Sequence, residues 1–189
     1  MQKIIEIANK NKKIAFDIIK ELNIQNKFKR INLVGSLKMD LLMKKRDIDF
    51  HAYSNPLKII DSFDAIKEIS NNKNIKKVTY NNLIDTDENC IEWHLYYKDK
   101  ENNIWNIDII HILEGSYYDN YFENINNNII SMLDNDKKNT ILKLKYETPD
   151  SMNIMGIEYY KAVLKYNIKT FDEFIKWRDK QIYSGIIEF

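Results

Sequence analysis

Residues 46–53 have period-two alternation, with polar and apolar side chains in turn from Asp47 to Ala52, a pattern typical of a β-strand with one buried face. Asp47, Asp49 and His51 share the polar face, and the apolar residues between and after them share the other. Carboxylates two positions apart on a strand project in the same direction, so both can bind one cation. We therefore predict a strand here whose polar face carries the chemistry.

A second short strand is predicted just upstream of this one. Residues 30–34 are largely apolar and are followed directly by Gly35-Ser36. Gly35 allows the backbone to turn sharply and to approach an anion closely, and the amides after it and the Ser36 hydroxyl can donate hydrogen bonds to phosphate oxygens.

A third carboxylate lies inside the apolar run of residues 104–113. Burial of Asp108 in such a run is costly unless the carboxylate is paired or binds a metal. The polar residues 99–103 separate this run from residues 90–98, so the two predict a β-hairpin. A loop centred near Glu101 places Asp108 across from His94, with Glu92 on the same side.

The segment Leu33-Val34-Gly35-Ser36, ten further residues and then Asp47-Ile48-Asp49-Phe50 resembles the signature of the nucleotidyltransferase superfamily of the DNA polymerase beta type. Its members include antibiotic and minimal nucleotidyltransferases and bacterial nucleotidyltransferase-domain proteins. The resemblance implies that Asp47, Asp49 and Asp108 bind Mg²⁺ or Mn²⁺ against a nucleoside triphosphate. It also implies that Gly35 and Ser36 contact the triphosphate.

Several further residues are candidates for the same site. We predict that Lys38 and Arg46 lie near the triphosphate, and that His51, Glu92 and His94 orient the carboxylates or face the acceptor. Resemblance to the antibiotic nucleotidyltransferases implies that a basic residue of the helical region also contacts the triphosphate. The candidates are Lys145 and Lys161, and no motif selects between them. His111 falls on the face opposite Asp108 and is interpreted as structural.

Near Gly115 the spacing of apolar residues changes from the pattern of short strands to that of long helices. We predict an α+β fold: a small mixed β-sheet flanked by helices, followed by a carboxy-terminal helical bundle. Residues 1–115 form the nucleotidyltransferase domain and residues 116–189 a helical domain that closes over the site. Helices are predicted over residues 4–22, 57–71, 118–133, 137–147, 154–166 and 171–183, with one or two further turns over residues 37–44.

Composition excludes several classes of protein. The formal net charge of +1 gives no global attraction to nucleic acid, which makes that partner unlikely without excluding it. The single cysteine, Cys90, excludes an intramolecular disulfide and a multi-cysteine metal site. No apolar run is long enough to span a bilayer, so we expect no membrane association and a cytoplasmic protein.

The function predicted from these features is transfer of a nucleoside monophosphate to a hydroxyl acceptor, most simply a small molecule. Two alternatives remain open: nucleotidylation of a protein or RNA partner, and a catalytically silent nucleotide-binding module. The sequence does not identify the acceptor, the base or the oligomeric state.

Overall fold

A five-stranded mixed sheet forms the centre of the structure, a computed structural model that describes residues 1–181 and residue 189. The strands are β1 Arg30–Val34, β2 Asp47–Ser54, β3 Ile75–Leu83, β4 Cys90–Lys98 and β5 Ile104–Leu113. Their order across the sheet is β1-β2-β5-β4-β3. Only the β2–β5 pair is parallel; the other three pairs are antiparallel. The predicted mixed sheet is confirmed.

The two faces of the sheet have different roles. Helices α1 (Gln2–Leu22) and α3 (Ile59–Ser70) pack against one face, where their apolar stripes bury residues such as Phe50, Trp93 and Ile107. Because side chains alternate along a strand, the polar residues Asp47, Asp49, His51, Glu92, His94, Asn106 and Asp108 point to the opposite face. That face lies toward the carboxy-terminal helices, and a cleft between the two leaves room for a ligand.

The carboxy-terminal helices form a second apolar cluster. They are α4 Tyr121–Met132, α5 Asn135–Glu147, α6 Gly156–Tyr166 and α7 Phe171–Arg178. The cluster includes Ile141, Leu144 and Phe174 and reaches back to Leu41, which follows the single turn α2 (Gly35–Lys38). Side-chain caps fix two of these helix starts: Asp134 accepts a hydrogen bond from the Lys137 amide, and Thr170 from the Glu173 amide.

Most predicted elements form within two or three residues of their predicted ends. One exception is the helix predicted over residues 37–44, since α2 ends at Lys38 and Asp40 has a left-handed backbone with φ 59°. The chain then runs through Leu41, Leu42 and Met43, which tertiary contacts bury in an irregular segment. The helix predicted to residue 183 ends at Arg178, and residues 182 and 183 lie outside the described part. The division of the chain at residue 115 stays a prediction.

None of the helices among the described residues is long and apolar enough to span a membrane.

Candidate active site

The parallel pairing of β2 and β5 brings the predicted carboxylates together. Asp49 pairs directly with Asp108 across the ladder, and Asp47 pairs with Asn106. Asn106 donates a hydrogen bond of 3.1 Å to Asp47 Oδ1. The three aspartates therefore share the open face of the sheet on adjacent strands, with an amide that holds the first of them.

Gly35 lies against Asp49. A Cβ atom built on this glycine would stand 2.0 Å from Asp49 Oδ2, far inside van der Waals contact, and the glycine backbone has φ +69°. Both observations require glycine at this turn, because any side chain would displace the carboxylate and strain the backbone. The glycine predicted to approach a phosphate thus also makes room for the second aspartate.

The carboxylates repel one another in this arrangement. Burial, followed by the charges of Asp47 and Asp108, raises the pKa of Asp49 to about 7, and Lys145 opposes the shift. Burial also raises the pKa of Asp47, although the Asn106 hydrogen bond opposes it. A bound cation would relieve this repulsion, since a positive charge between carboxylates favours their ionised forms.

Lys145 is the cation that the helical half supplies to the site. Its ammonium group donates hydrogen bonds of 2.9 Å to the Leu41 carbonyl oxygen and of 2.9 Å to the Tyr160 hydroxyl. Burial lowers the pKa of Lys145 to about 7, against the opposing charges of Asp47 and Asp49. Of the two lysines left open by the sequence, Lys145 lines the cleft over the aspartates, whereas Lys161 is not among the lining residues.

Asp108 is turned toward β4. Its Oδ1 lies 2.7 Å from Nδ1 of His94, the residue directly opposite in the β4–β5 ladder, and Nε2 of His94 lies 3.7 Å from Glu92 Oε2. The hairpin register predicted from the sequence is therefore confirmed. Glu92 also accepts a hydrogen bond of 3.0 Å from Asn81 on β3, so its carboxylate is held on the side away from Asp108.

The carboxylate oxygens of Asp47, Asp49 and Asp108 do not form a group whose ligand atoms all lie within 4.8 Å of one another. Among the described residues, the one set of three or more metal-ligating side chains whose ligand atoms all lie within 4.8 Å is Glu88, Cys90 and Glu92. Burial raises the pKa of the Cys90 thiol to about 12, so the thiolate that a metal needs is disfavoured there. The Asp108 carboxylate contacts His94 on β4, at 2.7 Å.

A cleft of about 1260 Å³ lies between the open face of the sheet and the helical half. The predicted residues that line it are Gly35, Ser36, Arg46, Asp47, Asp49 and His51. Lys38 is placed elsewhere: it is exposed and lines a separate depression with Asp40 and Lys138, because α2 ends there after one turn. Glu92, His94 and Asp108 lie beside the cleft and are not among its lining residues.

His111 has a structural role, as the sequence indicated. It is buried with a 2.9 Å contact between its Nε2 and the Ser54 hydroxyl, and burial lowers its pKa to about 4. It therefore stays neutral in the folded protein near pH 7.

Sequence reasoning missed the contribution of α4. Phe122 and Glu123 of this helix lie beside His51 of β2, and Asn126, four positions after Phe122, lines the same cleft. No motif marks them; the one available signal was helical spacing, because residues three and four positions apart share a helix face.

Three-dimensional comparison identifies the fold. The Cid1 RNA terminal uridylyl transferase superposes with a TM-score of 0.59 at 15% identity over 88% of this chain. A cytoplasmic RNA terminal U-transferase gives 0.51 at 13% identity over 85%, and a Cid1 poly(U) polymerase structure with MgGTP bound gives 0.52 at 14% identity over 88%. The protein has the nucleotidyltransferase fold.

At these identities the likeness concerns the fold alone. The chain spans about half the length of the matched chains, namely 52%, 48% and 51%. Neither a protein-family model nor a curated protein matches the sequence.

The donor chemistry of the site fits a hard divalent cation. Asp47, Asp49 and Asp108 offer carboxylate oxygens alone, the ligands that Mg²⁺ and Mn²⁺ prefer over softer metals. The carboxylates also repel one another, which contributes to the raised pKa of Asp49, and a bound cation would offset this repulsion.

Proposed function

We propose that the protein is a metal-dependent nucleotidyltransferase that moves a nucleoside monophosphate from a nucleoside triphosphate to a hydroxyl group. The observation that carries the proposal is the pairing of Asp49 with Asp108 on parallel strands, with Gly35 packed against Asp49. Two solvated carboxylates on an exposed strand would require neither a glycine packed against one of them nor a cleft beside them.

The residues have distinct roles in this proposal. Asp47, Asp49 and Asp108 hold Mg²⁺ or Mn²⁺, which would supply neutralisation of the phosphate charge. The amides of the Gly35-Ser36 turn and the Ser36 hydroxyl donate to the terminal phosphates. Lys145 adds a positive charge from the helical side, within a cleft that holds both Asp47 and Asp49.

The proposed reaction is a displacement at the α-phosphorus of the triphosphate. The acceptor oxygen forms a bond to the α-phosphorus, the bond from that phosphorus to the bridging oxygen breaks, and pyrophosphate leaves. Asp108 takes the proton of the acceptor hydroxyl, and its hydrogen bond to His94 fixes the carboxylate in position. Catalysis then depends on positioning and charge, as is general for this kind of transfer.

For the acceptor, a small hydroxylated molecule is our first candidate. The charge of the whole chain is +1, and five cations line the cleft: Lys10, Lys145 and the three consecutive residues Lys44, Lys45 and Arg46 just before Asp47. Such a distribution serves a compact substrate better than an extended polyanion.

RNA is the second candidate, favoured by a cluster of aromatic side chains at the edge of the cleft. Tyr117 is 75% exposed and lies 5.1 Å from Tyr118 and 5.5 Å from Tyr121 between ring centroids. The cluster continues to Phe122, which lines the cleft. Unpaired bases stack on such rings, and the matched structures include RNA terminal uridylyl transferases.

The test is a transfer assay with triphosphates labelled at the α-phosphate, Mg²⁺, and two acceptors: kanamycin and a short oligouridylate. Wild-type protein should label an acceptor, Asp49→Asn should abolish labelling, and the exposed Asp64→Asn should leave it unchanged. Tyr117→Ala should reduce labelling of the RNA alone if RNA is the acceptor. If the wild type binds no triphosphate in the presence of Mg²⁺, the proposed function is wrong.

A further inference from the structure

The sheet has an open edge at β3 (Ile75–Leu83). This strand pairs with β4, and within residues 1–181 no further strand pairs with its other side. The opposite edge, β1, is shorter and is bound by α4, for example through a 3.0 Å hydrogen bond from Asn32 to Glu123. A nine-residue edge without such cover presents a row of backbone N–H and C=O groups that can pair with another strand.

Apolar side chains beside this edge are exposed. Ile60 and Phe63, three positions apart on α3, are 64% and 42% exposed, and Val78 of β3 is 36% exposed. The ring centroid of Phe63 lies 4.9 Å from that of Tyr80 on β3, so helix and strand form one surface. We call Ile60, Phe63, Val78 and Tyr80 the edge patch. Apolar surface next to an unpaired strand edge is typical of a protein interface.

The two strand residues of the edge patch point to the α3 side of the sheet. Tyr80 pairs with Trp93 of β4, and the Trp93 indole donates a 2.8 Å hydrogen bond to the Ser62 hydroxyl of α3. Val78 shares this face, because it lies two positions before Tyr80. The residues of β3 on the other face include Lys77, Thr79 and Asn81.

The edge is complementary to a second copy of itself in an antiparallel register centred on Thr79. A two-fold axis through this residue, perpendicular to the sheet, sets Val78 opposite Tyr80 of the second copy, an aromatic residue against a β-branched one. Such cross-strand pairs stabilise a sheet. The same axis keeps α3 of both copies on one side of the joined sheet.

Neighbouring registers are less favourable. Moving the axis one residue toward the amino end of β3 sets Tyr80 opposite Lys76, and moving it one residue toward the carboxy end sets Val78 opposite Asn82. Both place an apolar side chain against a polar one. The Thr79 axis therefore has the better match of side chains.

Charge is also matched in the Thr79 register. Lys77 of each copy lies opposite Asn81 of the other, so no lysine faces a lysine. Asn81 donates a 3.0 Å hydrogen bond to the Glu92 carboxylate of β4, on the same face of the sheet. The Lys77 ammonium of the second copy is thereby brought toward a carboxylate of the first.

The position of α3 suits helix packing across the same axis. Phe63 contacts both Tyr80 of β3 and Trp93 of β4, with ring centroids 4.9 Å and 4.7 Å away, which places α3 over these two strands. With strands about 4.8 Å apart, two helices over the β3–β4 gaps of a joined sheet lie about 10 Å apart, the spacing of packed helices.

We propose that the protein forms a two-fold dimer in which β3 pairs with β3 of a second copy and the two α3 helices pack together. A strip about 30 Å long and about 20 Å deep buries about 600 Å² per copy, which reaches the lower range of specific interfaces. No residue of α3 or β3 is among those that line the cleft, so both copies keep an open site. The inference goes beyond the proposed transfer reaction and does not depend on it.

The first experiment measures the mass of the full chain by sedimentation velocity over a range of concentrations. Wild type should be dimeric, and Ile60→Glu and Val78→Glu should each raise the dissociation constant of the dimer at least tenfold, because each buries a charge in an apolar interface. Ile104→Glu is the matched control, since Ile104 is 46% exposed at the start of β5, and it should remain dimeric. Thermal denaturation shows that each variant is folded.

The second experiment tests the register by oxidation with copper phenanthroline. Thr79→Cys sets two cysteines opposite each other with Cα atoms about 5 Å apart, within disulfide range, and should form a covalent dimer. Asn81→Cys is the matched control: it lies on the same face, but its two copies are four strand positions apart, about 13 Å, and should not cross-link. The single native cysteine, Cys90, is buried.

The inference is overturned if the wild type is monomeric at every concentration, or if Ile60→Glu and Val78→Glu dimerise as the wild type does. Equal cross-linking of Thr79→Cys and Asn81→Cys would overturn the proposed register. Binding of a non-hydrolysable ATP analogue with Mg²⁺ is measured on the same samples. A monomer that binds the analogue contradicts the dimer alone, and a dimer that does not bind it contradicts the nucleotidyltransferase proposal alone.

Discussion

His94 Nδ1 lies 2.7 Å from Asp108 Oδ1, directly across the antiparallel ladder of β4 and β5. The contact gives the third carboxylate a fixed partner on one side, while Asp49 is its partner across the parallel ladder on the other. A carboxylate with a fixed partner has fewer orientations to lose when it binds a cation or accepts a proton.

Replacement of His94 should therefore impair the chemical step more than nucleotide binding. We expect His94→Phe to lower kcat roughly tenfold to a hundredfold, with a smaller change in the KM for the triphosphate, because the residue acts through Asp108. Steady-state kinetics at saturating acceptor provide the measurement. Glu92→Gln keeps the His94 contact to Asp108 and should change kcat much less; an equal loss in both variants would contradict the positioning role.

The contact between Gly35 and Asp49 can be tested with a matched pair of glycines. Gly35→Ala should abolish transfer, since its Cβ would stand 2.0 Å from Asp49 Oδ2. Gly115 also has a positive φ, +85°, but a Cβ there meets nothing within 4 Å. Gly115→Ala should thus lose about 1 kcal/mol of stability from backbone strain alone and keep its activity. Active Gly35→Ala protein would contradict the assigned packing.

Lys145 should bind the triphosphate. Lys145→Met removes the charge, and we expect the KM for the triphosphate to rise roughly tenfold to a hundredfold, the range for loss of a charge-assisted hydrogen bond. Lys143→Met, two positions away on the same helix and 43% exposed, is the control. Thermal denaturation of both variants separates a binding effect from loss of the hydrogen bonds to Leu41 and Tyr160.

The raised pKa of Asp49 predicts a pH-dependent stability in the absence of divalent cations. The folded protein keeps this proton up to about pH 7, whereas the unfolded chain releases it near pH 3.8. Stability therefore falls as the pH rises from about 4 to 7, and the cost is fully present above pH 7.

Asp49→Asn should remove that cost. Its gain in unfolding free energy over wild type should grow from near zero at pH 4 to about 2 to 4 kcal/mol at pH 8. Mg²⁺ should stabilise the wild type at pH 8 and not the variant. Urea denaturation at several pH values is the measurement, and a difference that stays constant with pH would contradict the assigned environment of Asp49.

The sequence predicted those parts of the site that local patterns control. Alternation along residues 46–53 placed Asp47, Asp49 and His51 on one face, and the polar loop at residues 99–103 set the register of Asp108 against His94. Strand period and hairpin geometry are local properties, so a single sequence carries them.

Contacts between distant segments were not accessible in the same way. The parallel pairing of β2 with β5 joins segments more than fifty residues apart, and the choice of Lys145 over Lys161 depends on how α5 packs over the cleft. The short α2 has the same origin, since burial of Leu41 and Met43 by tertiary contacts overrides helical spacing.

The most direct test of the central claim is calorimetric titration of a non-hydrolysable ATP analogue into wild type and Asp49→Asn, with and without Mg²⁺. We predict that the wild type binds the analogue only with Mg²⁺ and that the variant loses this dependence together with most of its affinity. Equal binding by both proteins, or binding by the wild type that is the same with and without Mg²⁺, would contradict it.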